Sequence, residues 1–176
     1  MGAGAESATI SAEGGMAKLS IAGAGIMGRP GVAARLFDTL AKGGINLRLI
    51  ATSEVKVSCL VAGHQGAKAL RAAAEVFELA EQQLVRNPSS SNLAEPAVRG
   101  VALDLDQAQV SVHRLPDRPG TAAAVCRALA DASISLDAIV QSERTHGEGQ
   151  ALSRDMSFTL RKADLGKADQ VLSALL

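Results

Sequence analysis

The chain contains an internal duplication, and this feature constrains its fold more than any other. Shifting the sequence by 89 positions aligns residues 29–54 with residues 118–143 without a gap. The identical pairs include Arg29 and Arg118, Pro30 and Pro119, Gly31 and Gly120, Leu40 and Leu129, Ile45 and Ile134, and Ile50 and Ile139. Because solenoid repeats have periods of only ~20–50 residues, this shift predicts two copies of one small domain.

Both copies show the same pattern of elements. A strand with period-2 alternation (17–22 and 108–113) leads through a loop containing Arg-Pro-Gly into a helical apolar pattern, which the Gly43-Gly44 pair ends in the first copy. Two more strands and a closing helix follow, at 46–51, 55–62 and 66–84 in the first copy and at 135–141, 155–160 and 164–176 in the second. The order is therefore βαββα in each copy.

Two further strands, at 7–12 and 98–104, are predicted to complete the sheets, with exchange between the copies left open. The predicted fold class is α+β, as two ferredoxin-like βαββαβ domains. The predicted boundaries are a strand and lead-in from a preceding domain of the same kind at 1–15, a first domain at 16–84, a linker at 85–97 and a second domain at 98–176.

The composition argues against several classes of protein. Eighteen Lys and Arg balance 18 Asp and Glu, and aromatic residues make up 2% of the chain, so we expect no nucleic-acid partner. The chain also lacks an apolar run of the ~18 residues that a membrane span needs. Cys59 and Cys126 lie in apolar runs and are typical of core residues in a reducing compartment, so we expect a cytoplasmic location. We find no catalytic constellation and no metal-ligand spacing.

Residues 23–28 match the pattern G-x-G-x-x-G directly after a predicted strand. This pattern is typical of dinucleotide binding, so an NAD(P)-binding oxidoreductase fragment that uses the Gly23–Gly28 loop is one alternative. Against it, the second copy has HRLPDRPG in the same place, and Arg48 lies where an acid for the ribose hydroxyls is expected.

The corresponding loop of the second copy, residues 115–121, favours a small-molecule site. Gly120 permits close approach to the backbone, and the amides that begin the following helix suit a carboxylate. Asp117 and Asp137 could bind an ammonium group, and Gln141 offers both a donor and an acceptor, so together these groups could recognise a free amino acid. Alternatively, Asp117 and Thr121 merely cap the helix.

Residues 18–61 and 98–141 resemble the regulatory ACT domains of aspartate kinase. The resemblance covers roughly 5–84 and 97–176, and its motifs are PDRPG at 116–120, DAIVQ at 137–141 and TSEVKVS at 52–58. The chain is most similar in arrangement to the cyanobacterial members of the family, which have four tandem ACT domains.

The resemblance implies an allosteric region that binds lysine or threonine between two ACT domains and mediates feedback inhibition. It also implies a homodimer formed through ACT domains. ATP and Mg would belong to a kinase domain that these residues lack, so no cofactor is expected in this chain.

The implied effector-binding residues come from both copies. They are Asp117, Arg118, Pro119, Gly120, Thr121, Ala122, Ser135, Leu136, Asp137 and Gln141 in the second copy, and Val32, Ala33, Asn46, Leu47 and Ser53 in the first. A third alternative is a structural dimerisation module without a ligand, because Ser135 and Ser142 replace asparagines that are usual in the family.

Overall fold

The computed structural model of the protein describes residues 14–24, 26, 29–53, 55–80, 104–141 and 153–176. The predicted strand 7–12 and the linker 85–97 lie outside the described residues. Of the predicted strand 98–104, only Asp104 is described, and it is not in a strand.

The described elements follow the predicted order in both copies. The first copy consists of strand β1 (Met16–Ala22), helix α1 (Val32–Lys42), strands β2 (Leu49–Ser53) and β3 (Lys56–Ala62), and helix α2 (Gly66–Val76). The second consists of strand β4 (Gln107–Pro116), helix α3 (Thr121–Asp131), strands β5 (Ile139–Gln141) and β6 (Ser153–Arg161), and helix α4 (Leu165–Leu175). The predicted α+β class with two ferredoxin-like copies is confirmed.

The described strands of both copies form one continuous sheet of order β1-β3-β2-β5-β6-β4. Every pairing in it is antiparallel. The copies join where Ala51 on β2 pairs with Val140 on β5. They therefore lie side by side, and their first helices, α1 and α3, are neighbours.

One side of the sheet carries the core. Leu19, Cys59 and Ile50 lie in register on β1, β3 and β2, while Ile139 and Phe158 do so on β5 and β6. All five are at most 7% exposed and belong to one hydrophobic cluster with the buried faces of the four helices. Burying a side chain of this size contributes roughly 1.5–3 kcal/mol, so this face holds the two copies together as well as each copy separately.

The ends of α1 and α3 turn the chain back toward the core in the same way. The residues after the two helix ends, Gly44 and Ser133, have φ angles of 67° and 58°. The next amides, those of Ile45 and Ile134, donate hydrogen bonds of 2.9 Å back into the last helical turn. Both isoleucines are 1% exposed, so each turn is anchored in the core.

Helix α2 is shorter than the apolar pattern predicts. The pattern continues to residue 84, but the helix ends at Val76. Glu78 adopts a φ of 55°, and the Arg35 guanidinium donates to the Val76 carbonyl (2.5 Å) while lying 5.4 Å from the centroid of the Phe77 ring. The helix end is thus fixed by contacts with α1 that no local pattern contains. No helix in the described part of the chain is long and apolar enough to span a membrane.

Candidate functional site

The described residues line two clefts between the copies, and each is built from a loop of one copy and the helix end of the other. The Asp117 cleft is open to solvent, has a volume of about 410 Å³ with the solvent at its mouth included, and is lined by Phe37, Ile45, Asn46, Leu47, Leu115, Pro116, Asp117, Arg118, Gly120, Thr121, Ala122, Ala123, Gln141, Arg154 and Met156. The Arg29 cleft is also open, has a volume of about 500 Å³ by the same measure, and is lined by Ile26, Arg29, Pro30, Gly31, Val32, Ala33, Ala34, Thr52, Ser53, Val57, Cys126, Ala130, Ile134, Leu136, Asp137 and Ile139. Most residues of one cleft are counterparts of residues in the other under the 89-residue shift.

The N-terminus of α3 faces the Asp117 cleft with unused backbone donors. Gly120 is the N-cap, with a φ of 96°, and no side chain caps the helix. The alternative that Asp117 and Thr121 serve as caps is therefore wrong. Among the described residues, the amides of Ala122 and Ala123 have no acceptor, so they are available to an anionic ligand.

The Asp117 carboxylate is already partnered. Its Oδ2 lies 2.9 Å from Nε of Arg154, and the two side chains are 4% and 7% exposed. The N–H of that Nε is not aimed for a hydrogen bond, so the contact is one of charges. Oδ1 accepts a hydrogen bond of 2.9 Å from Asn46 Nδ2 of the other copy. Asp117 therefore positions the loop and balances the charge of Arg154. The sequence suggested instead that Asp117 is a free acid that binds an ammonium group.

Arg154 connects the two copies. Besides its contact with Asp117, its Nη1 donates to the backbone carbonyl of Arg48 at 2.7 Å. The predicted strand begins at residue 155 and so leaves out Arg154, yet Arg154 lies on β6. Its position has the same parity as the buried Met156 and Phe158, so extending the alternation backward would have found it.

Gln141 contributes a free acceptor to the Asp117 cleft. Its side-chain oxygen Oε1 is buried and has no hydrogen-bond partner among the described residues. An unpaired buried carbonyl costs about 1–3 kcal/mol, so a ligand N–H that reached it would recover that energy. The cleft thus offers amide donors at the helix and an acceptor on β5.

The Arg29 cleft is lined by fewer polar side chains than the Asp117 cleft. Gly31, with a φ of 95°, begins α1 there without a side-chain cap. Asp137 accepts a hydrogen bond of 2.5 Å from Gln107 Nε2. Thr52 Oγ1 accepts one of 2.7 Å from the Ile139 amide. Thr52 and Asp137 therefore bind neighbouring parts of the protein within this cleft.

The structure divides the implied effector residues between the two clefts. The Asp117 cleft contains Asn46, Leu47, Asp117, Arg118, Gly120, Thr121, Ala122 and Gln141. The Arg29 cleft contains Val32, Ala33, Ser53, Leu136 and Asp137. Pro119 and Ser135 line neither cleft. Asp117 and Asp137, which the sequence interpretation grouped as one ammonium site, lie in different clefts.

The glycine motif lacks the context of a dinucleotide site. Gly23, Ala24 and Ile26 are its described residues, and the Ile26 amide turns back to the Gly23 carbonyl at 3.2 Å. Among the described strands, the neighbour of β1 is the antiparallel strand β3. A dinucleotide motif requires an adjacent parallel strand after its helix. Within the described ranges, no three His, Cys, Asp or Glu side chains form a group that could hold a metal ion.

Comparison with known proteins gives one consistent family. Models of the ACT domain match residues 19–77 and 108–176. A solved aspartate kinase from Synechocystis is 45% identical, with a TM-score of 0.84, and the match covers 92% of this chain and 27% of that one.

Curated relatives match a shorter part of the chain. The aspartokinase of Bacillus sp. (strain MGA3) is 47% identical over 70 residues, which are 40% of this chain and 17% of the relative. The aspartokinase of Thermus thermophilus is 40% identical over 82 residues, which are 47% of this chain and 20% of the relative. The chain therefore spans about a fifth or less of these relatives.

Proposed function

The chain belongs to the ACT domain family, as two tandem copies similar to those of aspartokinases, and from this premise we propose that it is the effector-binding region of an aspartate kinase. The effector is lysine, threonine or both, and its binding inhibits the kinase by feedback in the aspartate pathway of amino-acid biosynthesis. The kinase domain, with its ATP and Mg, is the partner that receives the signal. The region works in the cytoplasm, as part of a homodimer formed through ACT domains.

The lining of the Asp117 cleft carries this proposal. The unused amides of Ala122 and Ala123 suit an α-carboxylate, and Oε1 of Gln141 suits an α-ammonium group. A free amino acid carries both groups on one carbon, so one small ligand offers a partner for each of these groups of the cleft. The ion pair of Asp117 and Arg154 lines the same cleft with paired charges.

The walls of the Asp117 cleft come from both copies, and this gives a bound ligand a way to change how the copies are arranged. Asn46 and Leu47 come from one copy, while the α3 loop and Gln141 come from the other. A ligand that contacts both copies binds best to one mutual arrangement and shifts the population toward it, typically with a coupling of ~1–3 kcal/mol. A kinase domain attached to the copies would sense that shift.

Isothermal titration calorimetry of the chain with lysine, threonine and methionine tests the proposal. Saturable binding of lysine or threonine is expected, and Gln141→Leu should weaken it about 10- to 100-fold, since a hydrogen bond to a charged group contributes about 1.5–3 kcal/mol. Gln109→Leu is the matched control, because Gln109 is exposed on β4 and lines neither cleft. Its affinity should equal that of the parent chain.

Two results would contradict the proposal. Absence of binding to every amino acid would favour a structural dimerisation module, and saturable binding of NAD would favour the dinucleotide alternative. Equal weakening by Gln141→Leu and Gln109→Leu would remove the Asp117 cleft as the site.

A further inference from the structure

An ion pair joins two equivalent positions of the duplicated domain. Asp38 on α1 and Arg127 on α3 are counterparts under the 89-residue shift. Their side chains form a salt bridge across the two helices, with exposures of 25% and 49%. A residue that contacts its own counterpart lies on the approximate two-fold axis that relates the copies.

The packing around the ion pair has the same reciprocity. A Cβ added to Gly31 would lie 3.7 Å from Cβ of Ala130, and one added to Gly120 would lie 3.8 Å from Cβ of Ala41. Gly31 and Gly120 are counterparts, and so are Ala41 and Ala130. The helix–helix contact is thus nearly symmetric in shape, and shape alone would allow two identical copies to pair in the same way.

We propose that Asp38 and Arg127 make this pairing selective for unlike copies. In a pair of two first copies, the axis would bring Asp38 against Asp38, and in a pair of two second copies, Arg127 against Arg127. Like charges at a contact disfavour the wrong partner, while opposite charges favour the right one. The partner that fits α1 is therefore an ACT domain with a cation at the axis, in the same chain or in a second one.

A polar contact at the interface agrees with this selectivity. The hydrogen bond between Asn46 and Asp117 joins unlike copies, and Asn46 corresponds to Ser135, which lines neither cleft. A pair of two first copies would lack the carboxylate, since Asp117 corresponds to Gly28, and a pair of two second copies would have the shorter Ser135 in place of Asn46. The inference does not depend on which ligand the clefts bind.

A charge-exchange series in the full chain tests the energetic part. Asp38→Arg and Arg127→Asp each place like charges on the axis, and each should lower the thermal midpoint by about 2–4 °C. The double variant restores opposite charges across the helices and should recover part of the loss, because Asp38 also pairs with Lys42 on its own helix at 3.6 Å. At 1 M salt the differences should shrink, because ions screen partly exposed charges. The matched control is the same exchange of charges at Arg161 and Asp164, which form a 2.9 Å pair within the second copy.

Mixing two variants tests the choice of partner. A chain with Asp38→Arg has cations at both axis positions, and a chain with Arg127→Asp has anions at both. Unfolding and refolding the two together should produce a heterodimer in native mass spectrometry, since exchanging copies between the chains restores both opposite-charge contacts. A mixture of the Arg161→Asp and Asp164→Arg chains, treated in the same way, should show no enrichment of heterodimer. Failure of the double variant to recover stability, or a mixture that refolds without heterodimer enrichment, would overturn the proposal.

Discussion

Arg154 and Asp117 form a buried ion pair that fixes the loop leading into α3, and Arg154 also donates to the Arg48 carbonyl of the other copy. One guanidinium thereby links the loop of the second copy to the end region of α1. This arrangement makes the Asp117 cleft depend on Arg154, although Arg154 itself need not contact a ligand.

Removing the guanidinium should destabilise the protein strongly. Arg154→Met leaves the Asp117 carboxylate buried without its cation, which typically costs about 3–5 kcal/mol. Urea denaturation measures this loss. Arg161→Met is the control, because Arg161 is 62% exposed and pairs with Asp164, so its loss should cost about 0–1 kcal/mol. Similar losses in both variants would contradict the structural role of Arg154.

Asp117→Ala is a poor test of ligand contact for the same reason. It leaves Arg154 buried without its carboxylate, so we expect a loss of stability together with any loss of binding. Comparing its unfolding midpoint with its affinity would separate the two effects. A fully stable Asp117→Ala chain would mean that the ion pair contributes little.

The glycine that begins α3 should resist substitution. Gly120 has a φ of 96°, which costs an L-residue roughly 1–2 kcal/mol, while a Cβ there would meet only ordinary van der Waals contact. Gly120→Ala should therefore lower stability by about that amount through backbone strain. Gly166→Ala is the control, because Gly166 lies in α4 with open space around it, and the change should stabilise by up to about 0.5–1 kcal/mol. A stabilised Gly120→Ala variant would contradict the left-handed cap.

The two thiols should make stability fall at alkaline pH. Burial raises the pKa of Cys59 and of Cys126 from 9.0 to about 12. Between pH 9 and pH 12 the folded state therefore holds protons that the unfolded state has lost, and folding becomes less favourable as pH rises. Cys59→Ala/Cys126→Ala should show a weaker pH dependence of unfolding across this window. Rapid labelling of the native thiols by a disulfide reagent at pH 8 would contradict their burial.

Asp104 offers a local test of hydrogen bonding at the surface. Its pKa is lowered from 3.8, chiefly by the side-chain hydrogen bond from Gln107, then by the Asp106 amide and least by the charge of Lys162. Gln107→Leu should raise the pKa of Asp104 toward its ordinary value in an NMR titration, more than Lys162→Met does. Because the pKa of Asp104 is lower in the folded state, its hydrogen bonds stabilise the fold at pH values above the ordinary pKa. This stabilisation is lost as pH falls through the lowered pKa. An unchanged pKa in Gln107→Leu would exclude the hydrogen bond.

Local patterns predicted the elements better than their ends or their partners. The helix over 32–42 follows from apolar spacing and the Gly43-Gly44 stop, and the structure confirms it. The end of α2 at Val76 could not be predicted in this way, because Arg35 and Phe77 fix it through a contact between helices. A pattern within one segment carries no information about a neighbour that arrives from elsewhere in the chain.

Sequence reasoning found residues of the candidate site more reliably than it found which of them lie in the same cleft. Gly120 and Gln141 stood out from turn chemistry and hydrogen-bonding capacity, and both line the Asp117 cleft. The separation of Asp117 from Asp137 depends on how the two copies pair across β2 and β5, which the duplication alone does not specify. The pairing of Asp117 with Arg154 likewise needs the register of β4 against β6.

Each cleft takes its loop from one copy and its facing wall from the other. One copy therefore cannot be moved into another protein with a complete cleft. A chimaera that exchanged one copy with that of a distant relative would replace half of both clefts at once. Recombination between such regulators therefore preserves a working cleft when its breakpoints flank the pair, whereas a breakpoint between the copies joins loops to walls that did not evolve together.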